Sequence, residues 1–151
     1  MRFDDLLASL GERLGVEIED AGGAAAMEVD GGPVILRDAG DILLLHAEVG
    51  EIPSDGRESI LAAAMEANFL YQGTGGATLA VDPRSGHLYL QKYNWLDRLD
   101  AEKAVTSLTR FADTVTTWKE LVAEASAVPE PSAAQESSPS GGFMPGGFMQ
   151  M

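Results

Sequence analysis

The sequence contains no cysteine, and this absence excludes the scaffolds and the chemistry that depend on thiols. There can be no disulfide framework, no thiolate nucleophile and no cysteine-bound metal. Basic residues are also scarce, because 10 Lys and Arg stand against 24 Asp and Glu, for a formal net charge of -14. So acidic a chain repels nucleic-acid phosphates and anionic membrane surfaces. We therefore expect no nucleic-acid partner.

Long hydrophobic runs are missing as well. No stretch approaches the ~18 continuous apolar residues of a membrane span. The N-terminus carries Asp4 and Asp5 where a signal peptide would carry basic residues. Together with the lack of cysteine, which fits a reducing compartment, this predicts a cytoplasmic protein without a membrane span.

Recognisable catalytic and metal-binding motifs are absent too. His46 and His87 lie far apart in the sequence, so we expect no metal and no cofactor. No serine lies in a Gly-x-Ser-x-Gly elbow. The glycines at 73, 75 and 76 follow a helix and precede a strand, the reverse of a phosphate loop, and we interpret them as a tight turn. The sequence predicts a binding protein, with a hydrolase that uses acidic residues as an alternative.

The spacing of apolar residues predicts an α+β fold. The expected order is a helix, three antiparallel strands, a helix, a two-strand hairpin and a final helix, with the helices packed on a twisted sheet. The predicted elements cover residues 3–14, 24–29, 33–38, 41–49, 56–71, 77–81, 87–93 and 100–126. Gly15 is the expected stop of the first helix, and Asp55 and Asp100 are the expected N-caps of the second and third.

The third predicted strand is apolar on both faces for part of its length. Leu43 and Leu45 alternate with Ile42 and Leu44 before His46 begins a more polar stretch. A strand of this kind is covered on both sides. One cover can be the core, and the other must be a helix, a subunit or a partner. The second helix, at 56–71, is also too apolar for an ordinary solvent face.

The last 25 residues differ in composition from the rest. Residues 127–151 are rich in Ala, Pro, Ser, Gly and Met, which predicts a linker or a disordered tail. Gly-Gly-Phe-Met occurs twice, separated by Pro145. One hypothesis is that the tail docks in an apolar groove as a placeholder for a client, through Phe143, Met144, Phe148 and Met149. The alternative is a flexible end with a chance repetition.

The stretch 67–90 carries a recognisable pattern. Its parts are Ala67-Asn68-Phe69-Leu70, Gly73-Thr74-Gly75-Gly76-Ala77-Thr78-Leu79, Asp82-Pro83 and Gly86-His87-Leu88. With the leucines of the first helix and Leu96-Asp97-Arg98-Leu99-Asp100, this pattern resembles the class I type III secretion chaperones, the family that includes the Tir chaperone. The resemblance spans residues 1–126 and leaves the tail outside.

The resemblance implies a non-catalytic homodimer whose second helix lies at or near the two-fold axis. Its client would be the N-terminal segment of a secreted effector, held in a partly extended form before export. An adaptor that sequesters a regulatory protein on the same fold is the alternative. Docking on the secretion ATPase is left open. The Ala-rich first strand, Ala24–Ala26, departs from the family and puts the size of any partner pocket there in question.

Two sets of residues are predicted to make these contacts. The expected partner groove comprises Phe3, Leu7, Leu10, Leu14, Ile35, Ile42 and Leu44. The expected dimer contact comprises Leu61, Met65, Phe69 and Leu79. For every one of these residues, a place in the core of a single chain is the alternative.

Overall fold

The predicted order of elements is confirmed by a computed structural model, which describes residues 1–127. The helices are α1 (Phe3–Leu14), α2 (Arg57–Asn68) and α3 (Ala101–Ala127), with short 3-10 helices at Phe69–Tyr71 and Leu96–Arg98. The strands are β1 (Ala24–Val29), β2 (Gly32–Asp38), β3 (Ile42–Glu51), β4 (Thr78–Val81) and β5 (His87–Trp95). Apart from Ala127, which ends α3, the predicted tail and its two Phe-Met pairs lie outside the described residues.

The five strands form one antiparallel sheet in the order β1-β2-β3-β5-β4. Its centre is the long pairing of β3 with β5, which runs from Ile42 opposite Trp95 to Glu51 opposite His87. A register shift between Glu48 and Gly50 interrupts this pairing once. The sheet order brings the predicted hairpin beside the third strand instead of leaving it as a separate unit.

Only one face of the sheet is covered by helices. The inward positions of the strands are buried with the apolar sides of α1 and α3, and these positions include Met27, Leu36, Leu43, Leu45, Leu88 and Leu90. The opposite face, which we call the open face, carries half-buried or exposed side chains in alternation with them. The second cover that the sequence of β3 requires is therefore missing from residues 1–127.

The first helix ends as expected. Gly15 takes a left-handed conformation with φ 68°, and the N–H of Val16 donates to the carbonyl of Gly11 at 3.1 Å. A Cβ on Gly11 would lie 2.8 Å from the carbonyl oxygen of Val16, closer than real Cβ contacts allow. Gly11 therefore permits the close approach of the returning chain, at the cost of a weaker helix.

The predicted cap of α2 at Asp55 is wrong. The N-cap residue is Gly56, with φ 87°, and no side chain caps this helix end. Only glycine adopts such a φ without strain, and the turn that it produces places Asp55 outside the helix, without a capping bond. The predicted cap of α3 is correct, because the N–H of Lys103 donates to the Asp100 carboxylate at 2.8 Å.

The second helix ends three residues earlier than predicted, at Asn68. The Asn68 side chain takes part in two hydrogen bonds with the backbone of Leu79 in the edge strand β4. Its amide donates to the Leu79 carbonyl at 3.0 Å, and its oxygen accepts from the Leu79 N–H at 2.9 Å. One side chain thus replaces a neighbouring strand at the edge of the sheet.

The third helix contacts both the loop after α2 and the β1–β2 turn. Trp118 is buried, and its indole N–H donates to the carbonyl of Gly73 in the loop after α2 at 3.0 Å. On the other side of the helix, Thr116 and Lys119 donate to the carbonyls of Asp30 and Gly31 in the β1–β2 turn. The part of α3 around Trp118 is therefore fixed between these two loops.

We expect Asn68→Ala to lower the free energy of unfolding by about 1–3 kcal/mol, because it removes two partly buried hydrogen bonds to the backbone of β4. Urea denaturation at a fixed protein concentration measures the effect. Gln72→Ala is the control, since Gln72 is exposed in the same loop. Equal stability of the two variants would show that Asn68 does not hold the edge strand.

We expect Asp100→Ala to lower the melting temperature and Asp55→Ala to leave it unchanged. The backbone N–H of Lys103 is the main cause that holds the pKa of Asp100 below its ordinary value. A lowered folded pKa means that this stabilisation is present at neutral pH and is lost as the pH falls through the folded value. The difference between wild type and Asp100→Ala should therefore shrink below about pH 4; a pH-independent difference would contradict the cap.

Candidate binding surfaces

The open face carries an apolar strip across its central strands. Leu44 lies opposite Tyr93 and Ile42 opposite Trp95 in the pairing of β3 with β5. Tyr93 and Trp95 are 60% and 45% exposed, and their rings make an edge-to-face contact with centroids 6.4 Å apart. Ile35 of β2 is half-buried on the same face. An exposed apolar strip of this kind is typical of an interaction site.

Two shallow cavities adjoin this strip, and both include Leu44 and Gln91. The first has a volume of about 550 Å³ and is also lined by Tyr71, Thr78 and Tyr93. The second has a volume of about 460 Å³, and its other lining residues include Arg37, His46, Ala80, Arg84 and Tyr89. The open face therefore offers two neighbouring depressions for apolar or aromatic side chains.

The second cavity combines apolar surface with a charged rim. Burial lowers the pKa of His46, and the nearby Arg37 lowers it further, which favours the neutral imidazole. The rings of His46 and Tyr89 are 6.3 Å apart. Glu48 pairs with His87 beyond them. Arg37 and Arg84 line the cavity together with one carboxylate, Asp82, so its lining is less acidic than the protein as a whole.

Within residues 1–127, no group of three or more His, Asp and Glu side chains is arranged to hold a metal ion. None of the helices in that range combines the length and the hydropathy that a bilayer crossing requires. The cavities of the open face are lined mainly by aliphatic, aromatic and amide side chains, which suit a peptide segment.

A second apolar surface lies on α2 and the 3-10 turn after it. This α2 patch comprises Leu61, Met65, Phe69, Leu70 and Tyr71, and its last four members are between 55% and 73% exposed. Leu70 and Tyr71 also adopt left-handed backbone conformations, with φ 53° and 57°. Such conformations are strained for large residues and are found where function requires them. Large side chains held out in this way indicate an interface.

The structure separates the predicted partner residues into two groups. Phe3, Leu7 and Leu10 are at most 4% exposed, because α1 turns them into the core, whereas Leu14 is 41% exposed. The remaining three residues, Ile35, Ile42 and Leu44, lie together on the open face. The periodicity of α1 identified its apolar side but could not show that the sheet covers it.

The predicted dimer residues are divided in the same way. Leu61, Met65 and Phe69 lie along the α2 patch, whereas Leu79 is 5% exposed on the covered face of the sheet. Leu70 and Tyr71 were missed, because a helix predicted to run on to residue 71 hides their left-handed conformation. Tyr93 and Trp95 were not among the predicted partner residues, because core or support is the simpler interpretation of aromatic residues near the end of a hairpin; both are exposed.

Comparisons with known proteins agree with this architecture. The sequence profile of the Tir chaperone protein (CesT) family matches residues 5–119. A comparison with curated proteins finds no match. Three of the similar solved structures carry 17–22% sequence identity, so their likeness shows the fold alone.

Each of these three structures is a complex. The HopA1–SchA chaperone–effector complex contains a chain with 19% identity and a TM-score of 0.64, and the match covers 78% of this chain and 93% of that one. In the ExsC–ExsE complex, the similar chain has 22% identity and a TM-score of 0.66, and the match covers 79% of this chain and 92% of that one. In the ExoU–SpcU complex from the type III secretion system of Pseudomonas aeruginosa, the identity is 17% and the TM-score 0.61, with 82% of this chain and 97% of that one covered.

Proposed function

Because the chain belongs to the Tir chaperone protein (CesT) family, we propose that it is a cytoplasmic chaperone of a type III secretion system. In this role it binds the N-terminal segment of a secreted effector and keeps that segment soluble and competent for export. The observation that carries the proposal is the open face, which leaves the apolar strip of β3 and β5 uncovered in residues 1–127. The similar structures support it, since one is a chaperone–effector complex.

The open face suits a segment in extended conformation. Burial of apolar surface contributes about 25 cal/mol per Å², so a segment that crosses several depressions can offset the cost of its own ordering. The edge of β1 adds a second means of attachment, since among the strands of residues 1–127 it pairs with β2 alone and can accept a further strand through main-chain hydrogen bonds. Small side chains at Ala24 and Ala26 allow a client to lie close to this edge.

Within this proposal, Ile35, Ile42 and Leu44 contact the client directly, and Tyr93 and Trp95 extend the same surface. Leu14 contributes at the exposed end of α1. The buried side chains of the predicted groove, Phe3, Leu7 and Leu10, contribute by holding α1 against the covered face of the sheet.

The active unit is proposed to be a homodimer formed through the α2 patch. Met65 and Phe69 are 73% and 69% exposed in the single chain. Contact between two copies would remove both side chains from water. Leu61 and Met65 line a shallow cavity, and an apolar side chain of the second copy can fill it. Leu79 supports this surface from behind, because its backbone is bound by Asn68 at the end of α2.

We expect Leu44→Asp to weaken client binding more than tenfold, because it places a charge in the apolar strip. The client is first captured from the native bacterium and identified, and its purified N-terminal segment is then titrated by calorimetry. Leu121→Asp is the control, since Leu121 is an exposed apolar residue on α3. Circular dichroism checks the fold, and undiminished binding by Leu44→Asp would contradict a client site on the open face.

The dimer is tested by size-exclusion chromatography with light scattering. We expect a mass of twice the 15.9 kDa chain for the wild type at micromolar concentration. Met65→Glu combined with Phe69→Glu should give the mass of one chain, because two carboxylates would be buried in an apolar contact. The control Leu121→Glu should remain dimeric. A monomeric wild type, or a dimeric double variant, would overturn the proposed interface.

A further inference from the structure

We propose that the C-terminal tail of this protein occupies the open face of the sheet when no client is bound, through its two Phe-Met pairs. The occupant is residues 143–149, which contain Phe143-Met144 and Phe148-Met149. Docking of the tail is independent of the proposed chaperone function. The consequence that the tail competes with a client rests on that function.

The link between the two pairs is long enough to span the two cavities. The first cavity includes Tyr93 and the second includes Tyr89, and these residues lie on the same face of β5. Four residues of an antiparallel strand span about 14 Å. Phe143 and Phe148 are five residues apart and can be separated by up to about 17 Å. Each aromatic side chain can therefore enter a separate depression without strain in the Pro-Gly-Gly link between them.

The tail begins close enough to reach this face. Trp118 binds the carbonyl of Gly73, two residues after Tyr71, and Tyr71 lines the first cavity. From Trp118 the helix continues for nine residues to Ala127, a length of about 14 Å. Sixteen residues separate Ala127 from Phe143, and a chain of this length would span about 20–24 Å on average if it were a random coil and about 55 Å at full extension. This reach is sufficient for the tail to pass from the covered face to the open face.

The composition of the tail also fits the surface. Residues 128–151 contain Glu130 and Glu136 and no Lys, Arg or His. The domain that carries them is strongly acidic and repels these charges over most of its surface. The second cavity is an exception, because two arginines, Arg37 and Arg84, line it against one carboxylate, Asp82. An acidic segment that ends in apolar side chains therefore meets less repulsion here, beside the apolar strip, than over the rest of the domain.

A weak contact is sufficient for such an arrangement. A segment on a flexible link of this length has an effective concentration of the order of millimolar at its own docking site. Docking with an intrinsic Kd between about 0.1 and 1 mM would thus keep the open face mostly occupied, while a tightly binding client could still displace the tail. The apparent affinity for a competitor would fall by about two- to tenfold.

The test uses full-length protein and a fluorescein-labelled synthetic peptide of residues 137–151 as the probe. We expect the variant Phe143→Ser/Phe148→Ser, whose own tail cannot dock, to bind this peptide at least about twofold more tightly than wild type in fluorescence anisotropy. Adding Tyr93→Ala to that variant should weaken binding at least fivefold. Adding Leu121→Ala, at an exposed leucine on α3, should not.

Tyr93 is 60% exposed, so its replacement is compatible with folding, which circular dichroism confirms for each variant. Equal binding by wild type and the double serine variant, indifference to Tyr93→Ala, or no binding up to about 1 mM peptide would each overturn the proposal.

A photo-crosslinking amino acid at position 148 of the full chain gives an independent readout. Crosslinks should map to peptides of β3 and β5 and should form in the same yield at all protein concentrations. Crosslinks to Leu61, Met65 or Phe69 of the α2 patch, or a yield that rises with concentration, would overturn docking on the open face. Tyr71 is left out of this criterion because it also lines the first cavity. None of these measurements uses a client, so their failure leaves the chaperone function intact. Failure of a client to bind would likewise leave tail docking intact.

Discussion

The whole structure depends on the one-sided burial of a five-stranded sheet. α1 and α3 cover one face, and their apolar side chains form a single core with the inward residues of the strands. Residues 1–127 contain three α-helices, and α2 lies at the β4 edge instead of over the second face. Within these residues, a sheet with apolar side chains on both faces has helices on one face and lacks cover on the other. The binding surfaces follow from this shortage of cover.

The open face and the α2 patch hold their apolar side chains exposed in different ways. On the open face, side chains project from regular strands, so Leu44 and Tyr93 are held by the hydrogen bonds of the sheet. On the α2 patch, the chain instead holds Leu70 and Tyr71 outward through left-handed conformations that cost free energy. A surface built on strands keeps its shape whether or not a client is bound, so clients can exchange on it. A strained turn costs free energy in the single chain, and a permanent contact can offset that cost. This difference supports the assignment of clients to the first surface and of a second copy to the other.

The sequence predicted the elements well because their signals are local. The spacing of Phe3, Leu6, Leu7 and Leu10 specifies a helix wherever it packs, and the glycine after Leu14 ends it. The unbroken apolar run from Ile42 to Leu45 also predicted that both faces of β3 need cover. Long-range placement was harder. Whether Leu79 or Leu7 faces water depends on which elements cover it. The left-handed turn at Leu70 and Tyr71 contains no glycine at these positions, so the sequence carries no signal for it.

The binding of Asn68 to the backbone of Leu79 has a consequence for assembly. An antiparallel sheet with two free edges can join β4 of one molecule to β1 of the next, and this head-to-tail contact does not close into a ring unless the geometry happens to allow it. Open-ended growth of this kind leads to fibres. Both backbone groups of Leu79 in the four-residue strand β4 are already bound by a side chain of its own molecule, which disfavours growth in that direction. A single amide side chain thus opposes polymerisation through the β4 edge and favours the longer β1 edge for a foreign strand.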